Sequence, residues 1–323
     1  MKETVSAPGK LMLMGEHAIL YNRPCLVTAV DQRIQAEVEL LSDTPELQLE
    51  AVDVKVTGYR KSLNQLGVGD VPKGAQFVEH AIKNMVTQYG LKTGLRVTTT
   101  SEFSSKFGFG SSSAATVCVV KGTAALLSLP LNDKEIFDIS YQTILDVQKK
   151  GSGFDIAAAV YGGTLYFETG GKTIEHLAVE ELPLVVGYTG VKADTVALIN
   201  QVSELAKSYP DIVDDIYSAI ETVVIKAKIA LLNKDWKTLG DLMNLNQGYL
   251  SALGVSSKKL ELMIHSAREA GAYGAKLSGA GGGDCMIAIA SSGNTESVKN
   301  YIRIVEGEVI DISANAPGVR IEK

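Results

Sequence analysis

Residues 104–127 read SSKFGFGSSSAATVCVVKGTAALL: Gly108 and Gly110 flank one aromatic residue, Ser111, Ser112 and Ser113 follow, and the chain becomes an apolar helix former from Ala114. A helix N-terminus leaves about four backbone N–H groups unpaired and carries roughly half a positive charge, so it draws anions. Glycines in front of it let the backbone close around a polyphosphate, and serine hydroxyls can bond phosphate oxygens or ligate a divalent cation. The spacing is neither the dinucleotide fingerprint, which needs a third glycine where Ser113 stands, nor the Walker pattern, which needs Gly-Lys-Ser/Thr. Taken alone, the stretch reads equally well as a Gly/Ser turn with a serine cap.

Two further stretches carry residues able to do chemistry. SAPGKLMLMGEHAILYNRPCLVTAVD sets Lys10 before an apolar strand and Glu16 and His17 after it, and KLSGAGGGDCMIAIA sets Gly281, Gly282 and Gly283 at the entry to a strand.

The elements that must position these groups alternate between two periods. KLMLMG, LVTAVDQRIQAEVELL, LQLEAVDVKV and GLRVTTTSE read as strands bounded by turn residues. GAQFVEHAIKNMVTQYG, SAATVCVVKGTAALLSL and DKEIFDISYQTILDVQKK read as helices, the last with Asp133 as N-cap. Beyond Pro183 a short strand precedes helical patterns near 193–208, 211–233 and 257–271. The reading is an α+β protein of two packed lobes with a cleft between them, divided into 1–182 and 183–323.

Composition narrows the partners. The chain has 323 residues, 46% of them hydrophobic, and Lys+Arg 31 against Asp+Glu 37 gives a net charge of −6 without a basic run. Nucleic acid and membrane surfaces are therefore not expected as partners. Cys25, Cys118 and Cys285 are odd in number and lie in apolar surroundings, as in a cytoplasmic protein with reduced thiols. The early apolar run is too short for a signal peptide or a membrane span.

Early, middle and late in the chain, the three stretches together resemble the three motifs of the GHMP kinase superfamily, in the same order. The resemblance implies the two-lobed fold of that superfamily, with ATP and Mg²⁺ in the cleft and a small alcohol as acceptor. Pro8-Gly9-Lys10 with Gly15-Glu16-His17-Ala18 looks most like the mevalonate kinase branch, as does LPLVVGYTGVKADTVALINQV with Thr195. GSGFDIAAAVYGG is closer to the phosphomevalonate kinase branch. Mevalonate is thus the implied acceptor and phosphomevalonate the alternative; a decarboxylase-like relative and a non-catalytic sugar sensor are more remote readings. A homodimer or a monomer is implied.

By the same resemblance, Asp155 orients the acceptor hydroxyl and Lys10 pairs with it. Gly108, Gly110, Ser111, Ser112, Ser113 and Gly281 embrace the nucleotide, and His17, Glu16, Thr195 and Gly282 line the acceptor pocket. Ser112 is the implied Mg²⁺ ligand. Family members often carry a glutamate eleven residues before the catalytic aspartate; this chain has Ile144 there, and Asp146 is the nearest acidic residue. The plainer alternatives are a helix N-cap for Asp155 and for Asp194, a backbone-bonded structural role for His17, and a tight turn for the glycine run.

Overall fold

The structure, a computed structural model, describes residues 1–42 and 44–322. Its first lobe grows from two long antiparallel strands, β1 (Lys2–Met14) and β2 (Cys25–Leu41), whose β-branched and aliphatic residues suit a buried pleated surface. The elements β3 (Glu46–Ala51), β4 (Val56–Ser62), α1 (Gln76–Tyr89) and β5 (Gly94–Ser101) follow. The sheet runs β4-β3-β5-β2-β1, antiparallel except for the parallel β3–β5 pair. LQLEAVDVKV, expected as one strand, breaks into β3 and β4 through a helical turn at Val52–Val54, ended by Lys55 in the left-handed region (φ 60°).

The helices α2 (Ser111–Leu126), α3 (Asp133–Gln148) and α4 (Phe154–Tyr161) come next, with β6 (Thr164–Phe167) and β7 (Ile174–Leu177) extending the sheet beside β2. α2 is apolar around most of its circumference, as a helix buried on all sides must be. Val117, Cys118, Val119 and Val120 are fully buried, and Gly122 brings the helix so close to the sheet that a Cβ there would meet Val38 Cγ2 at 2.8 Å. The cap of α3 falls one residue earlier than expected. Asn132 accepts from the Glu135 backbone N–H, and the Glu135 side chain returns a bond to the Asn132 N–H, which leaves Asp133 in the first helical position.

In the second lobe, β8 (Leu184–Tyr188), α5 (Thr195–Ser208), α6 (Pro210–Leu232), α7 (Trp236–Ala252), α8 (Lys258–Glu269), β9 (Gly274–Ser278), β10 (Cys285–Ile289), α9 (Thr295–Ile304) and β11 (Glu308–Ile310) form an antiparallel sheet, β11-β8-β10-β9, with helices against it. Of the range 183–323 expected for this lobe, the tail behaves otherwise. β12 (Arg320–Ile321) pairs with β1, and buried Arg33 fastens the return by donating to the carbonyls of Pro317 (2.8 Å) and Gly318 (2.9 Å). The three cysteines are free and buried, and among the described residues no helix is long and apolar enough to cross a membrane.

Candidate active site

The phosphate-loop candidate joins β5 to α2. Gly108 (φ 75°) and Gly110 (φ 76°) both occupy the left-handed region, which glycine enters without steric cost. Gly110 is the N-cap of α2 and supplies no side-chain cap, so the first N–H groups of the helix, at Ser111, Ser112 and Ser113, point out of the loop uncapped.

Lys10 reaches this loop from β1. Its backbone N–H donates to Phe109 O (3.0 Å), its Nζ donates to Gly108 O (3.0 Å), and the ammonium lies 5.1 Å from the centroid of the Phe154 ring. The same Nζ is 3.0 Å from Asp155 Oδ1, in the first turn of α4. That oxygen is shielded from solvent and makes no hydrogen bond beyond the ion pair. A Cβ on Gly110 would sit 3.2 Å from Lys10 Cε and 3.4 Å from Asp155 Oδ1, so loop, lysine and aspartate share one small space. The expected grouping of Lys10, Asp155, Gly108 and Gly110 is thus present as one cluster.

Glu16 and His17 are placed differently from the expectation that both line an acceptor pocket. Glu16 is fully buried and its carboxylate pairs with Lys276, also fully buried on β9, rather than with Lys10. Burial pushes the Glu16 carboxyl up and the Lys276 amine down, and their mutual attraction opposes both shifts. His17 adopts φ 60° and ψ −48°, and the Ala18 N–H closes on Glu16 O at 2.7 Å, the strained form of γ-turn. Its Nε2 lies 2.9 Å from Ala280 O, and burial pushes its pKa below the ordinary 6.5. With Ser278 Oγ donating to Met12 O (2.9 Å), these bonds join the end of β1 to the glycine loop across the two lobes.

The glycine loop, 279–284, is crowded chiefly by its own lobe. A Cβ on Gly281 would lie 2.1 Å from Val255 O, on Gly282 2.9 Å from Leu198 Cδ1, and on Gly283 2.5 Å from Val191 O. Close backbone packing therefore explains Gly281 and Gly283, and Gly282 stands in the left-handed region (φ 70°) against the Leu198 side chain, whereas Gly279 (φ 97°) has open space beside it. Thr195 is the exposed first residue of α5, next to Asp194, which caps the helix by accepting from the Ala197 N–H at 3.0 Å. Asp146, expected as a metal ligand, lies on the seam between α3 and α1, where its Oδ1 accepts from Gln142 Nε2 (2.8 Å) and its Oδ2 from Asn84 Nδ2 (2.9 Å). Among the described residues no three His, Cys, Asp or Glu side chains gather into a metal site. Sequence reading passed over Lys276 and Asp284, whose roles arise only from packing between distant segments.

The GHMP kinases N terminal domain matches residues 76–163, and the GHMP kinases C terminal region matches residues 227–305. A mevalonate kinase of Pyrococcus abyssi is 37% identical over 329 residues, 98% of this chain and 97% of that protein. A mevalonate kinase of Pyrococcus furiosus is also 37% identical, over 335 residues covering 100% and 99%. The solved mevalonate kinase of Methanococcus jannaschii shares the fold with a TM-score of 0.81 at 23% identity, over 97% of this chain and 98% of that one. A lysine-tied aspartate against an uncapped Gly/Ser helix start, two matched family regions and full-length relatives agree: the chain belongs to the GHMP kinase family.

Proposed function

We propose that this protein is an ATP-dependent mevalonate kinase, transferring the γ-phosphoryl group of ATP to the primary hydroxyl of mevalonate to give 5-phosphomevalonate. The observation that carries the reading is the Lys10–Asp155 pair set against the phosphate loop, with full-length relatives of that name in support. Phosphoryl transfer asks little covalent chemistry of a protein, so positioning and charge stabilisation dominate. In this reading Asp155 accepts a hydrogen bond from the acceptor hydroxyl and orients it for attack. Lys10 holds that carboxylate in place and stabilises negative charge on the group in transfer.

The residues present fit a magnesium–nucleotide complex. Gly108 and Gly110 leave a cradle that a Cβ would fill, the N-terminus of α2 is uncapped, and Ser111 and Ser112 are only half-buried at its mouth. The N–H groups of residues 111–113 would bind phosphate oxygens and the Ser112 hydroxyl would hold the cation. When bound, Mg²⁺ neutralises charge on the β- and γ-phosphates. The lobes divide after residue 182, and the strand that returns to β1 near the end of the 183–323 range packs on the first lobe.

Charge favours mevalonate over phosphomevalonate as acceptor. A second phosphate needs an arginine or lysine able to make charge-assisted bonds. Of the few cations near the acceptor side, Arg23 pairs with Asp214 (3.2 Å) and Glu221 (3.3 Å), Lys149 donates to Asp146 O (2.8 Å), Lys192 donates to Ser105 O, and Lys150 is exposed at the surface. The test is kcat/KM for both acceptors at one ionic strength. A value tenfold higher for phosphomevalonate, about 1.4 kcal/mol of transition-state binding, overturns the reading.

A further inference from the structure

Asp284 closes the glycine loop in the left-handed region (φ 51°), and three bonds fix it to the segment after β8. Its N–H donates to Val191 O (2.8 Å), its carbonyl accepts from Thr189 N–H (2.9 Å), and its carboxylate Oδ1 accepts from Ala193 N–H (2.8 Å). The residue is only 9% exposed, and its other oxygen, Oδ2, lies over Gly108, so close that a Cβ there would be 2.5 Å away. The neighbouring Cys285 Sγ donates to Phe107 O (3.3 Å), which fixes the aspartate against the loop. Each lobe therefore turns one carboxylate to the phosphate loop, Asp155 from the first and Asp284 from the second. Asp155 has its counter-ion in contact. Lys10 and Lys192 act on Asp284 only through their fields, and burial raises its pKa.

A poorly solvated carboxylate beside a polyphosphate site repels a bare anion strongly, because water no longer screens the pair. The same oxygen is a hard donor of the type that magnesium selects. We propose that Asp284 makes nucleotide binding conditional on the divalent cation: its Oδ2 disfavours a metal-free polyphosphate at Gly108 and helps hold the cation that arrives with a charged one. The proposal rests on the reading that this loop takes the phosphates of ATP.

The test is calorimetric titration of the full chain with ADP, once in EDTA and once in excess MgCl₂, for wild type, Asp284→Asn and Asp284→Gly. Asparagine tolerates the left-handed backbone and keeps an acceptor for Ala193, while glycine adopts φ 51° without strain. In both variants metal-free ADP should bind about tenfold more tightly than in wild type, and the gain in affinity from Mg²⁺ should shrink by about tenfold. If Asp284→Asn changes both affinities alike and leaves the ratio at its wild-type value, Asp284 only braces the loop and the proposal falls. A changed ratio in Asp284→Gly alone also overturns it, since the lost bond to Ala193 and not the charge would then be responsible. Wild type that binds ADP in neither condition refutes the nucleotide reading itself.

Discussion

Lys10 Nζ stands 3.0 Å from both Asp155 Oδ1 and the carbonyl oxygen of Gly108, so one ammonium group joins the carboxylate of α4 to the Gly/Ser loop before α2. The ion pair joins β1 to an aspartate 145 residues later in sequence (155 − 10), and the lysine is only 8% exposed. Such a pair holds a carboxylate at a fixed place without consuming its other oxygen.

Asp155→Asn should therefore leave nucleotide affinity close to wild type and lower kcat by on the order of 10² or more, the scale of a positioned acid–base group. ADP titration and steady-state turnover on the same preparation check this. Turnover within a few fold of wild type would remove Asp155 from the chemistry.

Much of this cluster was legible in the sequence because each part is local. Glycine before serine before an apolar helix writes its own backbone conformation, and the structure gives φ 75° and 76° where the glycines stand. What was hidden depends on distant partners. α7 was not expected, because its buried face includes Asn246 and Gln247, and Gln247 is satisfied there only by accepting from the Leu277 N–H (3.0 Å) and donating to Ser256 (2.9 Å) and Glu261 (3.1 Å). Gly240 in the same helix touches the Tyr273–Gly274 backbone, which a propensity reading counts only as a weakness. The return of β12 to β1 involves two residues and has no periodic signal at all. Nothing local marks the partner of Glu16, and only the meeting of β1 with β9 reveals it as Lys276.

That buried pair gives a stability prediction. Lys276→Met leaves the Glu16 carboxyl buried without a counter-ion and should cost about 3–5 kcal/mol. Combining it with Glu16→Leu removes both charges and should recover most of the loss, because apolar replacement of a whole buried pair is often neutral. Urea unfolding of the single and double variants measures the difference. A double variant as unstable as Lys276→Met would mean that packing, not charge, governs the junction.

His17 gives a prediction in pH. Burial lowers its pKa in the folded protein below the ordinary 6.5, so on acidification the unfolded chain takes up a proton that the native state resists. Stability from this group is complete above about pH 7 and falls as the pH drops through 6.5 toward the folded value. His17→Gln, which can still donate to Ala280 O, should lose less Tm than wild type between about pH 7 and 5.5. Equal losses over that window would show that His17 does not titrate against folding.

Ser112 separates the nucleotide site from an ordinary helix start. Were it a cap, removing its hydroxyl would cost about 1 kcal/mol of stability. The structure assigns the N-cap to Gly110 with no side-chain bond, and among the described residues the one side-chain hydrogen bond at Ser112 is to its carbonyl, which accepts from Thr116 Oγ1 at 2.8 Å. Its hydroxyl is thus free for a ligand at the first turn, where the helix N-terminus already favours anions. Ser112→Ala should change unfolding free energy by less than about 0.5 kcal/mol, while the KM for Mg-ATP rises about tenfold and more Mg²⁺ is needed for half-maximal rate. Denaturant unfolding and a two-way titration of ATP and MgCl₂ measure both effects on one protein. A stability loss near 1 kcal/mol with an unchanged KM would return Ser112 to the role of a helix cap.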